Sequence, residues 1–203
     1  MPRISLLAGF AASAGVVLAL LLAPASAEEG KPVHVRGTIE RLDGTTLLVK
    51  SREGQDRAVR LADGFKVNAV ATARIADIKQ GDFVGAAALP DAGGKLHAQE
   101  VLIFPEALRG TGEGHYPWDL TPGSTMTNAT VAEVAGTGTG GTLMLKYEGG
   151  EKALEVPADA PVVTLVPGDA SLLTPGTAVF VPARQAADGS LSAGVVIAGK
   201  DGV

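Results

Sequence analysis

Past position 30, apolar and polar residues take turns: Val33, Val35, Gly37 and Ile39 alternate with His34, Arg36, Thr38 and Glu40. A period of two marks a strand with one dry and one wet face. Residues 46–50 resume the pattern after Asp43-Gly44, and residues 57–61 after Glu53-Gly54, which predicts a three-stranded meander joined by tight turns. Residues 73–80 suit a helical turn, with Gly81 placed to end it in a left-handed conformation. Residues 83–88 and 95–104 then form a closing hairpin around 91–94. Strand, strand, strand, helical turn, strand, strand is the element order of a five-stranded barrel.

The order occurs twice. Shifted by about 95 residues, "RGTIERLDGTTLLVKSREGQDRAVRLADG" is answered by "NATVAEVAGTGTGGTLMLKYEGGEKALEVPADA", and "IKQGDFVGAAALPDAGGKLHAQEVLI" by "LTPGTAVFVPARQAADGSLSAGVVIA". The first hairpin turn, Asp43-Gly44, lengthens to 136–141 in the second copy, where repeats tolerate insertion. These landmarks divide the chain into a repeat at 33–105, a connector at 106–127 and a repeat at 128–199. The expected fold is all-β, with two tandem five-stranded barrels. Each last strand ends apolar on both faces, as Val101-Leu102-Ile103-Phe104 and Val195-Val196-Ile197-Ala198. A strand dry on both sides needs a second cover, and the sister barrel is the nearest one.

Residues 1–27 read differently. Arg3, an apolar run over 4–22 and Ala25-Ser26-Ala27 have the form of a cleaved export signal. A retained membrane anchor is the competing reading of the same run. Cleavage predicts a chain of 176 residues that begins at Glu28, soluble in a periplasm or outside the cell. Its net charge moves from −5 to −6 with the loss of Arg3. With no cysteine in the chain, burial rather than disulfides must hold the fold. An acidic balance and seven remaining aromatic residues suit neither phosphate tracking nor base stacking, so no nucleic-acid partner is expected.

The "GTIERLDGTTLLV" opening, the "IADIKQGDFV" turn into the fourth strand and the "GGKLHAQEVLI" close cover most of the first repeat. In these motifs each copy resembles the small exported OB-like domains of unknown function found in bacterial envelope proteins. The resemblance implies an OB-like barrel in each copy and carries no catalytic residue. The second copy departs from it at Pro175-Gly176-Thr177, where the first has Gln80-Gly81-Asp82.

Candidate chemistry gathers in the connector, "GEGHYPWDLTPGSTMTNAT", which strand periodicity does not explain. It holds the only Trp, one of two Tyr and one of three His. His115, Tyr116, Trp118 and Asp119 are the candidate ligand or partner-binding residues, an aromatic and polar platform for an envelope protein, a peptide or a glycan. Their structural alternative is that Tyr116 and Trp118 plug the crevice between the copies. A metal site would draw on His34, His97, His115, Glu113 and Asp119, none at a paired ligand spacing; no cofactor is expected. His34 and His97 fall at polar-phase positions and read as solvated. His115, Asp119 and Ser124 have the residue types of a hydrolytic triad without the strand, elbow and helix it needs. Gly110-Thr111-Gly112-Glu113-Gly114 lacks the Lys-Ser or Lys-Thr of a phosphate loop. The sequence therefore predicts a non-enzymatic binding or adaptor protein of the cell envelope. A metal-binding accessory protein comes second and a hydrolase third.

Overall fold

The computed structural model describes residues 30–136 and 140–200; the expected signal and the middle of the 136–141 turn lie outside them. The fold is all-β. Five strands carry the first half: β1 (Lys31–Asp43), β2 (Thr46–Ser51), β3 (Asp56–Ala73), β4 (Phe83–Pro90) and β5 (Leu96–Ile103). A short β6 (Gly114–Pro117) lies in the connector. The second half contributes β7 (Thr125–Ala135), β8 (Gly140–Tyr147), β9 (Gly150–Pro157), β10 (Val162–Pro167), β11 (Ala178–Gln185) and β12 (Leu191–Gly199). No helix among the described residues is long and apolar enough to cross a membrane.

The predicted meander and both closing hairpins are present, but the hairpins are exchanged. β1, β2 and β3 close a five-stranded barrel with β11 and β12, through eight residue pairs between β1 and β11 and eight between β3 and β12. β7, β8 and β9 pair round with β4 and β5, meeting β5 again at Leu96↔Leu154 and His97↔Glu155. The expectation that each half closes on its own last hairpin therefore gives way to an exchange. Side chains follow the same division. Val35, Ile39, Leu47, Val59, Val181, Leu191 and Val196 share one core, and Val84, Val101, Val131, Leu145 and Leu154 share the other.

The path of β3 carries the first hairpin across. The sequence marks a strand only at 57–61, yet β3 runs on for 18 residues, through Gly64 at φ 70 and the apolar Phe65, Val67 and Ala69. At roughly 3.3 Å per residue its contour is about 60 Å. A strand that long leaves its own ring and delivers the next hairpin to the neighbouring one. The helical turn that follows is shorter than predicted, a 3-10 turn at Ile75–Asp77, and Gly81 takes φ 92 as expected. In the second half Pro157 and Pro161, which have no N–H to give a ladder, break the corresponding strand into β9 and β10.

The two rings use matching contacts. Val59 pairs with Leu191 and Val67 with Val196 in the first; Leu154 pairs with Leu96 and Val162 with Val101 in the second, each residue 95 positions from its counterpart. Ile39 exchanges backbone hydrogen bonds with Gly176 and Thr177, as Val131 does with Gly81 and Asp82. A bulge follows both Ile39 and Val131. β10 lies antiparallel to the end of β3 across six residue pairs, from Val162↔Ala73 to Pro167↔Asn68, and parallel to β5. The rings are thus joined edge to edge in one sheet through β10, which lies beside the dry end of β5, whereas the dry end of β12 is laddered to β3 and β11 of its own ring.

Candidate functional site

The connector leaves β5 at Phe104 and crosses the outside of both rings. Its start is pinned by Arg109, whose guanidinium pairs with Glu106 at 2.6 Å and donates to the Gly81 carbonyl at 2.9 Å. Glycines at positive φ, Gly110 at 82° and Gly112 at 58°, turn the chain into β6, which pairs with β7 from Gly114↔Asn128 to Pro117↔Thr125. The Pro122-Gly123 turn forms as its sequence predicts: Gly123 has φ 80 and Ser124 N–H donates to the Thr121 carbonyl at 3.0 Å.

Alternation along β6 divides the four candidate residues. Tyr116 and Trp118 share one side, and His115 takes the other. His115 Nδ1 lies 2.8 Å from the Thr127 hydroxyl and its ring stacks on Tyr147. Burial, with Lys152 nearby, holds its pKa below the ordinary histidine value. The platform of His115, Tyr116, Trp118 and Asp119 is therefore not one surface.

Tyr116, Trp118 and Asp119 do converge, on residues that sequence reading did not select. Tyr116 Oη accepts from Asn128 Nδ2 at 3.2 Å, and its ring meets Trp118 edge-on at 6.2 Å. The Trp118 ring lies 4.5 Å from the ring of His34, 6.3 Å from that of Phe180 and 5.1 Å from the Arg36 guanidinium. Arg36 also covers Phe180 at 4.6 Å, its direct partner across the β1/β11 ladder. Asp119 accepts from Arg36 at 2.7 Å and from His34 Nδ1 at 2.9 Å. An ionised carboxylate only accepts, so His34 carries its proton on Nδ1. Arg52 completes the clamp by donating to the carbonyls of Asp119 and Leu120. His34, expected to be solvated, is half-buried because Trp118 and Asp119 cover it.

Burial pushes the Asp119 carboxyl up, but the His34 hydrogen bond and the Arg36 charge prevail and hold it below the usual carboxylate range. A lowered carboxyl contributes stability that is present above its unfolded pKa and lost as pH falls through its folded one. Glu100 on β5 behaves oppositely, since desolvation raises it and Arg36 only partly offsets the rise. Its charged form is disfavoured by folding, so its contribution is favourable below the unfolded pKa and is lost as pH rises. Replacing Glu100 with Gln is expected to raise the melting temperature at pH 7 and to change little below pH 4, as pH-resolved thermal denaturation would show.

The other constellations do not assemble. Ser124 is 2% exposed, and its hydroxyl lies 2.8 Å from the Thr121 carbonyl and 3.0 Å from that of Trp118, as a turn brace, away from His115. The three histidines are separate. His97 bridges Asp91 and Glu155 through opposite ring nitrogens, which keeps the two carboxylates from meeting at one point. Among the described residues no group of three His, Cys, Asp or Glu converges as a metal site would require.

Trp118 is neither fully buried nor exposed beside a groove. Replacing it with Ala is expected to cost about 2–3 kcal/mol, below the 3–5 of a fully buried aromatic. Denaturant unfolding measures this, and a parent emission maximum between those of buried and free indole would accompany it.

Phe180 was legible in principle as an aromatic ring on the outward phase of β11, between inward Val179 and Val181. Arg36 and His34 carried no signal of their own, because charged and polar residues are ordinary on a wet face. No family model, curated protein or solved structure matches the chain, so the reading of this cluster stands on its geometry.

Proposed function

We propose that the chain is an exported, non-enzymatic binding or adaptor protein of the bacterial envelope, built from a duplicated OB-like unit. Its contact surface is the cluster where the connector crosses the first ring. One observation carries the reading. In a chain with so few aromatic residues, Trp118, Tyr116 and Phe180 gather outside both cores, half-exposed and beside the charged Arg36 and Asp119. Aromatic rings with an arginine are the residues that dominate contact surfaces. Such a group offers flat apolar faces and charged hydrogen-bonding edges, which suits a peptide or a glycan.

Capture from envelope extract by the parent protein and by a Phe180→Ala variant tests the proposal. Phe180 belongs to neither core but packs on His34, Trp118 and Arg36, so the variant should stay folded with a modestly lowered melting temperature and lose the captured partner. A partner retained equally by both proteins would move the contact surface elsewhere. The export expectation has its own check in N-terminal sequencing, which should begin at Glu28; an intact Met1 in the membrane fraction would refute it.

A further inference from the structure

We infer that the face of the first ring bearing His34, Arg36, Arg52 and Phe180 is a binding site for a peptide segment with an aromatic residue followed by an acidic one. The chain's own Trp118-Asp119-Leu120 is its resident occupant, which a partner segment must displace. The inference rests on the binding function proposed above, narrows its contact surface to the ring face, with Trp118 and Asp119 as the groups a partner replaces, and specifies the ligand.

The contacts are those by which a receptor grips an extended peptide. The His34 ring, the Phe180 ring and the Arg36 guanidinium form a slot for the indole. Arg36 and His34 together hold the following carboxylate at 2.7 and 2.9 Å. Arg52 takes the next two backbone carbonyls. Side-chain anchor, charge anchor and backbone anchor succeed one another over three residues.

The backbone of this occupant is held by its own turn, Trp118 N–H donating to the Ser124 carbonyl at 2.8 Å, and not by backbone pairing with the first ring. β6 pairs only with β7, and no ladder joins residues 118–120 to the first ring. The segment meets that ring through side chains and the two Arg52 bonds. Asp119 remains 50% exposed while Arg36 beneath it is 16% exposed, so the seat is built and its upper side is open to solvent. The second ring treats its matching face differently. Gly85 stands there, 95 residues before Phe180, and the Phe104 ring and Asn128 Oδ1 lie so close that a Cβ on Gly85 would be 2.9 and 2.6 Å from them. That face is filled by residues adjoining its own strands. Among the described residues, only the connector fills the slot of the first ring.

Binding of a fluorescein-labelled peptide with the sequence of residues 114–121 tests the assignment. It is titrated into the full chain carrying Trp118→Ala and Asp119→Ala, whose fold is checked by circular dichroism and melting. The peptide should bind this emptied protein at least about tenfold more tightly than the parent, whose site is occupied. Adding Phe180→Ala, or exchanging the peptide's Asp for Asn, should abolish that gain. No binding to the folded double variant, equal binding to the parent, or equal binding of a scrambled peptide would overturn the inference. Should the double variant not fold, Asp119→Ala alone opens the carboxylate clamp and must still bind the peptide more tightly than the parent; equal affinities overturn the inference. An envelope partner captured in a Phe180-dependent way, with the peptide binding neither protein, would leave the binding function standing and remove this ligand.

Discussion

A single cut in the connector is expected to leave the two halves bound to each other. An engineered protease site in the exposed stretch 110–112 separates residues 30–110 from the rest without touching a ladder. Each half then holds three strands of one ring and two of the other. Dissociation would strip eight residue pairs of β1 from β11, eight of β3 from β12 and six of β4 from β7, and would open both cores. The cut protein should therefore co-elute as one species at micromolar concentration and melt in one transition. Its midpoint should now depend on concentration, because folding has become association. Two rings each closed on its own hairpin would behave in the opposite way. The same cut would then release two separately folded barrels, and their separation on a sizing column would refute the exchange.

The individual strands were legible in the sequence because each rests on local facts. Val33 to Ile39 alternates, Asp43-Gly44 turns, and residues 91–94 close a hairpin whatever lies beyond. Partner choice has no such local signature. The β4/β5 hairpin presents to either ring the same inward row, Val84, Ala86 and Ala88, and the two rings repeat their contacts at a spacing of 95 residues. What carries the β4/β5 hairpin past the first ring is the continuation of β3 through Asp63-Gly64, where a turn pair mid-strand conceals that the strand goes on. A sheet that tolerates one left-handed glycine reads, residue by residue, like a sheet that ends.

The connector divides along the same line. Its composition marks it as the place for chemistry, and Trp118 and Asp119 do lie together in the cluster. His115 leaves the group for a reason the sequence contained. Once Gly114-His115-Tyr116-Pro117 is seen as a strand, alternation sends His115 to the side opposite Tyr116, whose ring Trp118 joins just past the strand's end. Arg36, His34 and Phe180 enter from outward positions of β1 and β11, where a polar or charged side chain is the default. Only the three-dimensional crossing of the connector gives those positions a purpose.

The second large effect is expected at Gly37, where replacement by alanine should cost about 3 kcal/mol or more, at the upper end of what overpacking brings. Gly37 lies within β1, laddered to Val179 on one side and Ser51 on the other. Its φ is not left-handed, so alanine is not refused on backbone grounds. Space refuses it. A Cβ would lie far inside contact with the Lys50 carbonyl oxygen and 2.8 Å from Ser51 Cα, both of them backbone atoms that cannot swing aside. β1 and β2 would have to part beside Val35 and Ile39 and open the first core. For a chain of this size about 1 kcal/mol corresponds to 2–4 °C, so the melting temperature should fall by about 6–12 °C. Gly194 provides the control inside the same ring. It too lies in a strand, β12, without a left-handed φ, and a Cβ there meets nothing within 4 Å. Gly194→Ala should stay within about 0.5 kcal/mol of the parent, or gain slightly from a stiffer unfolded chain. Thermal melts of the two variants side by side settle the point, and a Gly37→Ala protein that melts with the parent would mean that β1 and β2 are not in this close approach.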